Sequence, residues 1–199
     1  MSDDRFLTLA GTSEAQVREK ASRFIGFAFP VGTEEGMKDR LMGIAKAHHA
    51  ARHHCYAYVI DGRERANDAG EPSGTAGRPI LRQLQANGLN NAAIIVVRYF
   101  GGTLLGRGGL VRAYGDAARE AIGANTIIEA VRRVPVRIDM PYDRLEPMRQ
   151  AVITAEGTIE RTEYGAHCSM QAAVPSSRVD AFIQEHAAGT VRIVRLQLK

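Results

Sequence analysis

The sequence predicts an α+β protein of two units, and three observations predict it. Strand and helix patterns alternate from the N-terminus to about Asn125. Beyond Val131 the order becomes strand–helix–strand–strand–helix–strand, the split βαβ order of a ferredoxin-like sandwich. The 199 residues are 45% apolar and 24% charged, enough material for one large core or two small ones. The expected division is 1–128 and 129–199.

The opening, MSDDRFLTLAGTSEAQ, is acidic and then polar, unlike a secretory signal or an arginine-rich transit peptide. No apolar run approaches the roughly 20 residues that span a bilayer. A cytoplasmic location, with no membrane contact, is the expectation. Arg18 to Pro30 is β-rich around Phe24, Ile25, Phe27 and Phe29, and Pro30 closes it. Met37, Leu41, Ile44 and Ala45 have helical spacing within Glu34 to Ala51, with Thr33 placed as N-cap. CYAYVI (Cys55 to Ile60) reads as a buried strand and Asp61 to Ser73 as a turn-rich loop.

A helix is expected from Pro79 to Asn87, since proline suits a first turn and Gly88 suits the stop. Arg82 should lie on its outer face. AAIIVVRYF (Ala92 to Phe100) is the strongest strand of the chain, followed by a glycine loop and a helix from Gly109 to Ile122. In the second unit VRRVPVRIDMPY reads as one strand and Asp143 to Glu156 as a helix. Thr158 to Tyr164 and His167 to Val174 form a hairpin about Gly165. A helix over Arg178 to Ala188 and a closing strand, TVRIVRLQLK, complete it.

The distribution of charge is more informative than the net value of +4. Between Glu71 and Asp116 lie 44 residues without one acidic side chain, yet with Arg78, Arg82, Arg98, Arg107 and Arg112. From Glu71 to Asp116 the chain also carries nine of its 20 glycines. Cations without nearby carboxylates, set among backbone amides, suit an external anion such as phosphate. The alternative is that these arginines pair with acids from elsewhere in the fold. GGTLLGRGG (Gly101 to Gly109) fails as a Walker loop, because Arg107 stands at the lysine and Gly108 at the magnesium-binding hydroxyl. It fails as a dinucleotide loop too, because Val111 takes the place of the third glycine. A phosphate or RNA surface built from Arg78, Arg98, Gly101, Gly102, Gly106, Arg107, Gly108 and Arg112 survives these tests. The same glycines equally suit tight turns and close packing.

His48, His49, His53 and His54 precede Cys55 without metal-ligand spacing, and Cys55 and Cys168 are the only two cysteines. Cys55 in CYAYVI reads as a small buried hydrophobe. Neither a metal nor another cofactor is expected. An enzymatic alternative uses the polar loop Asp68 to Thr75, with His54, Glu71, Ser73 and Thr75 as its members, acting on a small phosphorylated or peptide substrate.

Four motifs in order carry a resemblance: SRFIG (Ser22 to Gly26), HHCYAY (His53 to Tyr58), NDAGEPSGTAGRPIL (Asn67 to Leu81) and RYFGGTLLGRGGLVRAYGDAA (Arg98 to Ala118). Together they resemble the IMPACT family, in its bacterial branch, over residues 5 to 125. The family often has Asp or Gly where Ala69 stands. The resemblance implies that the first unit is an α/β sandwich with a left-handed βαβ crossover. Such a domain is similar to the fourth domain of elongation factor G and to one in a small-subunit ribosomal protein. Pattern reading alone would favour a right-handed connection. The second unit resembles the small ferredoxin-like domain appended in that branch. The eukaryotic relatives regulate translation initiation by competing for an activator of a stress kinase, using a further N-terminal domain; that partner is not carried over.

The leading expectation is a non-enzymatic regulator of translation that meets RNA or the ribosome through its basic, glycine-rich surface. Tyr99 and Phe100 are candidates to stack on a base. The enzyme is one alternative, and a module for binding an acidic protein is another.

Overall fold

Two strands that the polar N-terminal segment conceals come first, β1 (Arg5–Leu9) and β2 (Ser13–Glu19). They are followed by β3 (Ser22–Pro30), α1 (Glu34–Ala47), β4 (His53–Ile60) and β5 (Arg63–Asn67). Next come α2 (Gly77–Ala86), β6 (Ala92–Tyr99), α3 (Gly106–Gly123) and β7 (Ile127–Val131). The computed structural model describes residues 4–196. By internal packing, Leu7–Glu129 forms one unit and, among the described residues, 4–6 with 130–196 form the other.

The first unit is a five-stranded sheet in the order β2-β3-β6-β4-β5, every neighbouring pair antiparallel. Since β3 and β4 both run antiparallel to β6, they are parallel to each other, and α1 is the crossover between them. Thr33 caps α1, its hydroxyl accepting from the Gly36 N–H at 3.0 Å. Strand alternation splits the core in two. Phe24, Ala28, Cys55, Ala57, Ile94 and Val96 pack beneath α2 and α3, whereas Ile25, Phe27, Phe29, Tyr58, Ile95 and Val97 pack with Met37 of α1. The segment read as loop holds β5, an exposed edge strand whose charged RERAN sequence guards the sheet margin.

α3 starts three residues earlier than expected. Helical glycine costs about 1 kcal/mol relative to alanine. Burial of Leu110, Ala113, Tyr114, Ala117, Ala118 and Ala121 along one face of the helix outweighs that preference. Gly26 makes the approach possible, because a Cβ there would lie 2.5 Å from the Ala117 carbonyl oxygen.

The second unit contains β8 (Arg133–Met140), a 3₁₀ turn, α4 (Leu145–Thr154), β9 (Thr158–Tyr164), β10 (Cys168–Pro175), α5 (Val179–His186) and β11 (Arg192–Arg195). Its sheet order β11-β8-β10-β9 is antiparallel throughout and gives the ferredoxin-like arrangement. Val136, Ile138, Met140, Met170, Val152 and Phe182 build its core. The strand expected over Val131 to Tyr142 is two strands, broken at Arg132, and β7 pairs with β1. The last part of the expected closing strand, residues 197–199, lies outside the described residues. No helix among the described residues is long and apolar enough to cross a membrane.

Candidate functional site

The loop between β5 and α2 is organised by one carboxylate. Asp68 accepts from the Gly74 N–H at 2.8 Å, the Ala76 N–H at 2.9 Å and the Gly77 N–H at 2.8 Å. It therefore satisfies the first turn of α2, where Ala76 has no capping side chain. Burial opposes its ionisation, but these three donors and the Arg78 charge hold its carboxyl below the usual range. Gly77 is required by contact, since a Cβ would stand 2.6 Å from the Asn67 nitrogen. Thr75 is buried and its hydroxyl donates to the Pro72 carbonyl at 2.6 Å. Ala69 has φ +43°, the left-handed region that glycine or aspartate tolerates better.

Above this loop sits a buried polar cluster. Glu71 Oε1 accepts from the Arg98 guanidinium at 2.7 Å and from the Tyr114 hydroxyl at 2.8 Å. His53 donates from Nδ1 to the Ala69 carbonyl at 2.9 Å, which leaves Nε2 4.0 Å from Glu71 Oε1. The Cys55 sulfur lies 3.0 Å from the Asp68 carbonyl oxygen and 3.3 Å from the Tyr114 hydroxyl. Burial pushes the Cys55 thiol up to about 12, and burial likewise drives the Tyr114 hydroxyl upward. Both groups are neutral hydrogen-bonding parts of the core.

Arg98 departs from its expected place at the phosphate surface. It is 6% exposed, paired with Glu71, and lies over the Phe24 and Phe100 rings at 5.4 and 5.5 Å. Its partner is the very acid that opens the acid-free stretch. For this arginine the alternative of pairing within the fold holds. Its buried Nε has no hydrogen-bond partner.

Of the four residues of the enzymatic alternative, Glu71, Ser73 and Thr75 share the loop before α2, and His54 lies away from them. His54 points to the α1 side of the sheet, donates to the His48 carbonyl at 3.3 Å, and is held below the usual histidine range chiefly by burial. Ser73 is exposed, and Thr75 is committed to its own turn. His53, which the motif reading passed over, occupies the Glu71 face instead. Period-2 alternation along β4, which puts His53 on the face of Cys55 and His54 on the other, is the signal that could have found it. Among the described residues no group of three or more His, Cys, Asp or Glu is arranged to hold a metal ion.

The remaining arginines form a band. Arg107 donates to the Ser73 carbonyl at 2.8 Å, tying the start of α3 to the Asp68 loop. Arg78 is exposed in the first turn of α2. Arg82 is not remote: it lines a groove between α2 and α3 with Pro79, Gln83, Val111, Arg112 and Gly115. The two helices are in ordinary contact there, a Cβ on Gly115 having room beside Gln83 Nε2 at 3.8 Å and Pro79 at 3.9 Å.

Gly102 and Gly106 have φ +84° and +69°, and Gly106, Arg107 and Gly108 are exposed at the start of α3. That first turn has neither a side-chain cap nor an acidic residue. Gly101 is structural, since a Cβ would lie 2.0 Å from the Ala21 backbone. Of the expected stacking pair, Tyr99 turns toward α1, its hydroxyl 2.9 Å from His48 Nδ1 and its ring beneath Arg23 at 4.3 Å. Phe100 is 49% exposed.

Comparison with known proteins matches residues 20–122 to the Impact N-terminal domain family. The chain is 31% identical over 186 residues to the IMPACT family member YigZ of Escherichia coli, covering 89% of this chain and 91% of that protein. It is 32% identical over 180 residues to the IMPACT family member YvyE of Bacillus subtilis, covering 89% and 83%. A crystal structure described as that of a hypothetical protein superposes with a TM-score of 0.70 at 30% identity, covering 98% of both chains.

Proposed function

The chain belongs to the IMPACT family, and from that premise we propose that it is a non-enzymatic regulator of translation, associating with RNA, free or in the ribosome. The observation that carries the reading is the band of exposed arginines, Arg78, Arg82, Arg107 and Arg112, on α2 and the first half of α3. No acidic side chain interrupts that part of the sequence, and Asp68 beside it is consumed by backbone donors. Guanidinium groups presented from rigid helices suit phosphate oxygens, and exposed backbone amides at a helix start add to the attraction. An enzyme of the kind considered above would need His54 beside Glu71, Ser73 and Thr75, and His54 is turned to the His48 carbonyl instead.

The experiment is co-sedimentation with ribosomes, and direct RNA binding, at two or more salt concentrations. Wild-type protein should bind with a steep inverse dependence on salt, and Arg107→Ala should weaken binding and reduce the slope by about one. Wild-type protein that binds neither ribosomes nor RNA at low salt removes the reading.

A further inference from the structure

Resting on the reading that the arginine band meets RNA, we infer that its ligand is the backbone of an RNA duplex, with the groove between α2 and α3 seated on the strand rather than on bases. The argument begins with what the band lacks. The only aromatic residue of either helix is Tyr114, and its side chain is fully buried. Single-stranded RNA is held chiefly by bases stacked on exposed rings, in a charged groove that follows the backbone. Here the surface presents guanidinium groups and no platform within the two helices. Phe100, the nearby exposed ring, has the Arg98 guanidinium 5.5 Å from its centroid.

The groove itself points the same way. It encloses about 230 Å³, less than the roughly 300–1,000 Å³ of pockets that swallow a small molecule. A backbone laid along it meets Arg82 from α2 and Arg112 from α3. The acid in its lining, Asp116, is paired with Arg119 at 2.7 Å, so its charge is largely offset. Gln83 also lines the groove and brings an amide with both donor and acceptor. That combination matches the 2′-hydroxyl, which is itself donor and acceptor and lines the broad minor groove of A-form RNA. Helices α2 and α3 share one core through Ile80, Leu84, Leu110 and Tyr114, so the arginines are presented from a preformed surface.

The test uses the full chain and three probes of the same sequence: an RNA duplex, its single strand, and the corresponding DNA duplex. Affinity is measured across a salt series for wild type, Arg82→Ala/Arg112→Ala, Gln83→Ala and Phe100→Ala. The RNA duplex should bind tightest. The double arginine variant should lose on the order of tenfold in affinity for it and reduce its salt slope by about two, one per phosphate contact. Gln83→Ala should narrow the gap between RNA and DNA duplexes, and Phe100→Ala should change duplex binding less than twofold. All altered side chains are exposed or half-exposed, and a matching unfolding midpoint checks that each variant is folded. A single strand that binds as tightly as the duplex, or a large loss in Phe100→Ala, overturns the duplex assignment while RNA binding stands. Binding to none of the three probes removes the underlying reading instead.

Discussion

Arg98 and Glu71, 27 positions apart, form a 2.7 Å ion pair with side-chain exposures of only 7% and 4%. The pair clamps the loop that precedes α2 onto the central strand β6, and Tyr114 of α3 adds a second donor to the same carboxylate oxygen. One buried acid thus joins the loop, the sheet and the helix that carry the arginine band. Its contribution is to hold the motif segments together, which is why the glycine-rich motifs converge although none forms a nucleotide loop.

Removing one partner of this pair should be severe. Arg98→Ala leaves Glu71 buried without its cation and should cost about 3–5 kcal/mol, while Tyr114→Phe should cost nearer 1–2 kcal/mol. Urea unfolding measures both. A loss below about 1 kcal/mol in Arg98→Ala, the range of an exposed pair, would show that the site is open to water.

The glycines should separate into two classes. At Gly26 and Gly77 a Cβ would meet backbone at 2.5 and 2.6 Å, whereas Gly108 has nothing within 4 Å. Gly26→Ala and Gly77→Ala should each destabilise by about 1–3 kcal/mol or more through overpacking. Gly108→Ala, inside α3, should instead gain up to about 1 kcal/mol from helix propensity. Thermal unfolding decides. Equal losses at all three positions would mean that motif glycines are not distinguished by packing.

How much of this was legible in the sequence follows from the range of the forces involved. The strong strands β3, β4 and β6 and the ferredoxin-like order were readable, because burial imposes periodicity on neighbouring residues. Thr33 as a cap was readable for the same local reason. β1, β2 and β5 were not: they are polar or edge strands, formed by pairing with partners whose presence local composition does not report. The same limit governs the site. An acid-free stretch is a local fact, but Arg98 finds Glu71 across the fold, and Arg82 meets Arg112 only because α2 lies against α3. Parity along β4 did contain the choice of His53 over His54.

The cysteines should be inert in the native protein. Cys55 is fully buried, its thiol pushed up to about 12 chiefly by burial, and Cys168 is fully buried in the second unit. At Cys55 the reactive thiolate is therefore scarce at pH 8, and at both residues burial denies the reagent access. Neither residue should label with a thiol reagent until denaturant is added, when both should label promptly, as mass spectrometry would read. Rapid modification of Cys55 under native conditions would show that the Glu71 cluster opens to solvent.

Asp68 should make stability depend on acid in a defined direction. Its folded-state carboxyl is held below the ordinary range, where burial is outweighed by the Gly74, Gly77 and Ala76 N–H groups and by Arg78. A depressed carboxyl stabilises the fold at pH above its unfolded value near 3.9, and that contribution is lost as pH falls through the folded value. Asp68→Ala should therefore cost about 1–2 kcal/mol at pH 7, as loss of a helix cap does. The gap between wild type and variant should then shrink below about pH 4, because the protonated wild-type carboxyl no longer holds the three amides as an anion. Urea midpoints taken from pH 7 down to pH 3 measure this directly. A gap that stays constant over the whole range would mean that the charge of Asp68 contributes nothing, and that the loop is held by shape and neutral hydrogen bonds alone.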